Sequence, residues 1–142
     1  MSVEENKAIA RRVIEEVHNQ GNFALWDSLL APGYVNHNLP PGRSAAKRQQ
    51  MITMYRAAFP DQVTTVDGLI AEGDRVVVRW TQHAVHAGTL VTPFGQLAPT
   101  GKHLTVTGMI IFRIVDGKIT DEWEEWDTLG MLQQLGVVPS GE

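Results

Sequence analysis

The fold class this sequence predicts is α+β, with helices packed on one face of an antiparallel sheet, and three observations predict it. Apolar residues recur at helical spacing as far as Phe59. Beyond Pro60 the pattern changes to alternation, the mark of half-buried strands. The helices thus come first and the strands follow as a run, without the βαβ alternation of a parallel sheet. If such a sheet curves around the first helix, its concave face can hold an apolar ligand.

The elements follow in order. Ser2 and Glu5 have capping-box spacing, and Ile9, Val13, Ile14 and Val17 form an apolar stripe, so a helix is predicted from Val3 to Asn19, stopping at Gly21. Asn22 can cap a short second helix carrying Leu25, Trp26, Leu29 and Leu30, ended by Pro32-Gly33. Ser44 can cap a third, with Met51, Met54, Tyr55, Ala58 and Phe59 along one side and Pro60-Asp61 at its end. Strands are then predicted at Gln62–Ala71 and Arg75–Ala87. On the second, Val76, Val78, Trp80, Gln82, Ala84 and His86 share one face. Residues 88–101, with Pro93, Gly95, Pro99 and Gly101, read as loop. Lys102–Val115 and Lys118–Trp126 read as a hairpin turning at Asp116-Gly117, and Thr128–Leu135 as a closing helical turn or two.

The chain of 142 residues fits one domain, 1–142, and a chain of this length buries roughly two thirds of its unfolded surface. Twelve Lys and Arg against sixteen Asp and Glu leave a net charge of −4, so a nucleic-acid partner is not expected. The basic cluster of Arg43, Lys47, Arg48 and Arg56 reads as a solvated helix face. The absence of cysteine excludes disulfides, thiolate nucleophiles and cysteine–zinc sites. The opening Met-Ser-Val-Glu-Glu lacks the basic and apolar regions of a signal peptide, and no apolar run approaches a membrane span, so a cytosolic location is expected. Phosphate-binding glycine loops, a nucleophile elbow and a zinc-binding His-Glu-x-x-His helix are all missing.

The segment Asp121-Glu122-Trp123-Glu124-Glu125-Trp126-Asp127 is the richest in chemistry. Alternation groups Asp121, Trp123, Glu125 and Asp127 on one face, and Glu122, Glu124 and Trp126 on the other. If the first face is the concave one, Asp127 stands beside an aromatic wall, where burial raises its pKa and makes it a general base. Asp127 is equally placed to cap the helix that starts at Thr128. His86, at a strand end, can polarise a carbonyl or serve structurally. His83 lies on the opposite face, which argues against a two-histidine metal site there. His37 and Tyr34 lie between the second and third helices, where polar residues either line a pocket rim or make Asx turns. Trp80 and Trp123 suit either a flat ligand or the core, and Met109 lies in the middle of the third strand.

Tyr34-Val35-Asn36-His37, Phe59-Pro60-Asp61, Gly73-Asp74-Arg75-Val76, His86-Ala87-Gly88, Pro99-Thr100-Gly101-Lys102, Asp116-Gly117-Lys118-Ile119 and Trp126-Asp127 through Gln134-Leu135-Gly136 occur in that order. Together they resemble the SnoaL-like polyketide cyclases, or ester cyclases, of the nuclear-transport-factor-2-like superfamily, over nearly the whole chain. The resemblance implies a cone of three N-terminal helices over a strongly bent sheet, and a homodimer formed through that sheet. It implies cofactor-free acid/base catalysis of an aldol-type closure or isomerisation on a small apolar or aromatic carbonyl compound. Asp127 takes the acid/base role and His86 and His37 the supporting ones, with Tyr34, Trp80, Met109 and Trp123 against the substrate and no metal. The strand from Leu104 to Arg113 departs from the pattern, having no histidine or acid in its middle. A non-catalytic binding module is the alternative. So is epoxide hydrolysis on the same fold, which wants an Asp-Arg-Asp set that Arg79, Arg113 and Asp127 do not supply.

Overall fold

The computed structural model describes residues 2–38, 44–92 and 95–139; the side chains of 44–47 and of Thr92 lie outside that description, and with them the expected cap at Ser44 and the loop residue Pro93. The order is α1 (Val3–Arg12), a π-helical continuation (Val13–His18), α2 (Phe23–Leu29), β1 (Leu30–Asn36), α3 (Ser44–Ala58), β2 (Val63–Glu72) and β3 (Arg75–Val85). It continues with β4 (Leu90–Thr92), β5 (Gly95–Leu97), β6 (His103–Val115), β7 (Lys118–Trp126) and α4 (Thr128–Leu135). Three helices lie ahead of β2 as expected, although β1 falls between the second and third, and α4 makes a fourth.

The expected capping box is present: Glu5 N–H donates to Ser2 Oγ at 3.1 Å, and Ser2 N–H donates to Glu5 Oε1 at 3.4 Å. Past Arg12 the helix widens to i→i−5 bonding, as in Asn19 N–H to the Ile14 carbonyl at 3.1 Å. Asn19 then pairs with the backbone of Thr64 in both directions, donating to its carbonyl and accepting from its N–H, each at 2.8 Å. The end of the first helix is thereby tied to β2.

The main sheet has the order β1-β7-β6-β3-β2, with β1 parallel to β7 and the other pairs antiparallel. Asp116 and Gly117 both take positive φ, the geometry a two-residue hairpin turn requires. Val76, Val78, Ile110, Phe112 and Ile119 fill the inner face and pack with Ala10, Val13, Ile14 and Val17 from the first helix. Beyond the end of β7, Gln134 of α4 closes the free edge of β6, accepting from Thr105 N–H at 2.9 Å and donating to its carbonyl at 2.8 Å.

Two expectations are corrected. The second helix ends one residue early, and Leu30–Asn36 is a strand, because its backbone finds a parallel partner in β7. The stretch read as loop holds the small hairpin β4–β5. Among the described residues no helix is long and apolar enough to cross a membrane.

Candidate functional site

The site begins with an irregularity in β7. Ile119 pairs with Ile114 and Asp121 with Arg113, so Thr120 is an extra residue on this strand. Such a bulge reverses which side chains face inward beyond it. Ile119 and Glu122 are therefore both fully buried, although three residues apart. From there Glu122, Glu124 and Trp126 look inward, and Asp121, Trp123 and Glu125 look out.

Two carboxylates carried to the inner face need compensation, and Arg48 supplies it from α3. Its Nη1 donates to Glu124 Oε1 at 3.2 Å, and its Nη2 lies 3.1 Å from Glu122 Oε2. Nη2 also lies 3.2 Å from His18 Nε2. Tyr34, on β1, donates its hydroxyl to Glu122 Oε1 at 2.8 Å. The solvated helix face expected for Arg48 is thus overturned: only 6 % of the residue is exposed. Alone it would be prohibitively costly to bury; against two carboxylates it is not.

Burial and charge set the protonation of these groups. Burial pushes the Glu124 pKa up, and the charge of Glu122 adds to the rise, while Arg48 pulls the other way. Burial lowers the His18 pKa well below the ordinary histidine value, and the positive charges of Arg48 and Arg56 lower it further. Burial and then Glu122 raise the Tyr34 hydroxyl, keeping it a donor. Burial likewise raises Tyr55, with Glu124 adding to the effect.

Beside this network lies a cavity of about 90 Å³, where a single water needs roughly 10–15 Å³. Ile14, Ile52, Ile110, Trp126 and Met131 form its apolar wall. His18, Arg48, Glu124, Gln62 and Gln82 form its polar end, with Tyr55 and Trp80 between. Gly108 makes room for this arrangement: a Cβ there would stand 2.4 Å from the Trp80 ring and 2.7 Å from Trp126 Cβ. Gln62 is held firmly, donating to the His18 carbonyl at 2.7 Å and accepting from Thr64 Oγ1 and Gln82 Nε2 at 3.0 Å each. A half-apolar cavity with a buried, proton-binding carboxylate at one end suits acid/base chemistry on a neutral ligand. Among the described residues no group of three His, Asp or Glu side chains is placed to hold a metal ion.

Of the residues singled out from sequence, Trp80 lines the cavity and Tyr34 is linked to it only through Glu122 and then Arg48. Asp127 is exposed, outside the cavity lining, and caps α4 by accepting from Gly130 N–H at 2.8 Å. His86 is fully buried behind the site, its Nδ1 2.9 Å from Thr100 Oγ1, and its ring stands 5.6 Å from that of Phe59; burial lowers its pKa. The bulge puts Trp123 on the outer face, where His37 stacks on it at 4.5 Å and donates from Nε2 to Asp121 Oδ2 at 2.9 Å. Met109 is on that outer face too, 48 % exposed. The sequence reading missed His18 altogether and set Arg48, Glu122 and Glu124 apart from the site. A histidine one turn after Ile14 on an apolar stripe was the available signal.

The sequence profile of the SnoaL-like polyketide cyclase family matches residues 8–135. The chain is 30% identical over 135 residues to an aklanonic acid methyl ester cyclase of Streptomyces sp. (strain C5), covering 90% of this chain and 80% of that protein. It is 30% identical over 124 residues to a nogalonic acid methyl ester cyclase of Streptomyces nogalater, covering 83% and 88%. Its fold superposes on that of TsrD from Streptomyces laurentii with a TM-score of 0.84 and 25% identity, covering 97% and 99%. A SnoaL-like polyketide cyclase of Agrobacterium tumefaciens shares the fold at a TM-score of 0.72 and 15% identity, over 96% and 100%. The bent sheet, the helices on its inner face and the family profile over nearly the full length agree: this chain belongs to the SnoaL-like polyketide cyclase family.

Proposed function

We propose that this protein is a cofactor-free cyclase or isomerase for a small, neutral carbonyl compound, with Glu124 as the proton carrier. The observation behind this reading is the Glu124 carboxylate at the cavity wall, burial raising its pKa while Arg48 keeps it ionisable. The names of the two Streptomyces relatives support ring closure on a methyl ester. Glu124 takes a proton from a carbon flanked by carbonyls, the electron pair moves onto oxygen as an enolate, and the enolate carbon bonds to a second carbonyl carbon. The resulting alkoxide recovers the proton from Glu124. A placed base contributes roughly 10²–10⁴-fold, and orientation of the folded substrate several kcal/mol more.

The test uses aklanonic acid methyl ester and nogalonic acid methyl ester. Closure produces an isomer of unchanged mass, and Glu124→Gln lowers turnover at least about 10²-fold. Asp127 is the competing proton carrier: full activity in Glu124→Gln together with its loss in Asp127→Asn would return the role there. Tight binding of both esters with no product would establish the non-catalytic alternative.

A second reading has its own observation. Epoxide hydrolysis wants an arginine between two carboxylates, and Glu122–Arg48–Glu124 supplies that set from residues other than those first considered. A protonated Glu124 would donate to the epoxide oxygen while water attacks carbon. The product gains the mass of one water, which separates this reading from cyclisation.

The same proposal includes a cytosolic homodimer. Ile70, Val77, Ile111 and Trp123 pair across four strands on the outer face, where no described helix covers them. Ile70 is 73 % exposed. Sedimentation of the purified chain reads the mass, and Ile111→Glu is expected to give monomer.

A further inference from the structure

Arg48 joins two cavity residues, Glu124 and His18, and the second of these has no part in the proton transfer described above. A guanidinium has only N–H donors, so His18 Nε2, 3.2 Å from Arg48 Nη2, must be the acceptor. The proton of the neutral ring is then on Nδ1. Among the described residues Nδ1 has no hydrogen-bond partner, and it is not one of the polar atoms sealed from solvent. His18 lines the cavity and retains some exposure.

Hydrogen bonds to the backbone fix the position of this ring. The π-helical stretch Val13–His18 places His18 and Ile14 on the cavity wall. The His18 carbonyl accepts from Arg56 Nη1 at 3.0 Å and Gln62 Nε2 at 2.7 Å. Asn19 fixes the next residue to β2. Single π-turns inside helices are rare and concentrate at functional sites.

We propose that His18 is a catalytic residue whose Nδ1–H donates a hydrogen bond to the substrate oxygen that becomes the enolate, at the same polar end of the cavity as the base. The inference rests on the carbonyl chemistry proposed above. The charged groups nearest the ring are Arg48 and Arg56 on α3 and Glu124 on β7, while β2 and β3 offer the uncharged Gln62 and Gln82. Glu122 lies beyond Arg48, on the same Nη2. Burial first, and then the charges of Arg48 and Arg56, keep the ring neutral, and a neutral imidazole can donate to an enolate without surrendering its proton. A fixed donor at a developing oxyanion is commonly worth about 10²–10³-fold in turnover.

The test begins with the unaltered, histidine-¹⁵N-labelled protein and 2-naphthol, a phenol whose oxygen copies an enolate. The expected spectrum shows His18 protonated on Nδ1 and bare on Nε2 from pH 5 to 8, with the Nδ1–H proton moving downfield on saturation with 2-naphthol. An Nε2–H tautomer, titration near the free-histidine value, or an unmoved Nδ1–H at saturation overturns the proposal, as does failure of millimolar 2-naphthol to bind. Two variants then divide the ring with aklanonic acid methyl ester as substrate. His18→Asn keeps an amide donor at the Nδ1 position, and kcat stays within about 10-fold of the parent; His18→Gln keeps only the Nε2 side, and kcat falls about 10²-fold with KM little changed. The reverse order overturns the proposal. Full turnover in Glu124→Gln would sink the base assignment and leave the His18 resonance shift standing, so the two failures are distinguishable.

Discussion

The Arg48 guanidinium lies 3.2 Å from the Glu124 carboxylate, and the side chains are only 8 % and 12 % exposed. Glu122, on the other side of Arg48, is closed to water entirely. Removing the shared cation leaves two buried carboxylates facing each other. Arg48→Met is expected to destabilise the protein by about 3–5 kcal/mol, read by urea denaturation at neutral pH. Arg48→Lys should recover part of this, since a lysine brings the charge but not the two-pronged geometry. A stability of Arg48→Met equal to the parent would mean that the ion pairs do not hold α3 against β7.

The raised Glu124 pKa has a consequence for activity. The base must be ionised to accept a proton, so kcat/KM is expected to fall as pH drops, with its midpoint above the ordinary glutamate value of 4.5. Because Arg48 pulls that pKa down, its neutral replacement should move the midpoint to still higher pH, provided the variant is folded at the assay temperature. An acid limb at or below 4.5 would contradict a buried carboxylate as the base.

Gly108 tests the cavity wall. A Cβ at this position would stand 2.4 Å from the Trp80 ring and 2.7 Å from Trp126 Cβ, so it collides with both neighbours. Gly108→Ala should cost about 1–3 kcal/mol through overpacking and should displace Trp80. The shift is visible as a change in tryptophan fluorescence and weaker binding of 2-naphthol. Parent-like stability and binding would show that Trp80 has room to move.

Asp127 tests the helix cap. Asp127→Ala is expected to cost about 1 kcal/mol in thermal or urea unfolding, while Asp127→Asn, whose amide oxygen caps nearly as well, should cost a few tenths. Asp127→Asn is therefore a clean probe of any catalytic role. Equal stability of Asp127→Ala and the parent would remove the cap as a stabilising contact.

The helices and the long strands were legible because each is written in a local period. Val76, Val78, Trp80 and Ala84 are buried as alternation requires, and Asp116-Gly117 turns where its dipeptide says. β1 was not legible, since Pro32 and Gly33 speak against a strand and its partner β7 is some ninety residues away. Arg48 looked like one more surface cation, because its helix carries little amphipathic contrast and its partners come from β7 and the end of the first helix.

By itself, the sequence determined the α+β plan, the family and most element boundaries, all of which follow from local periodicity, turn chemistry and motif order. Only the tertiary structure decided which carboxylates meet the cavity. One extra residue at Thr120 turns Glu122 and Glu124 inward and Trp123 outward, and leaves Asp127 at a helix start. A bulge arises where two strands must pair over their whole length, so its position depends on β6 as much as on β7. Strand alternation read along a single segment carries no record of that pairing.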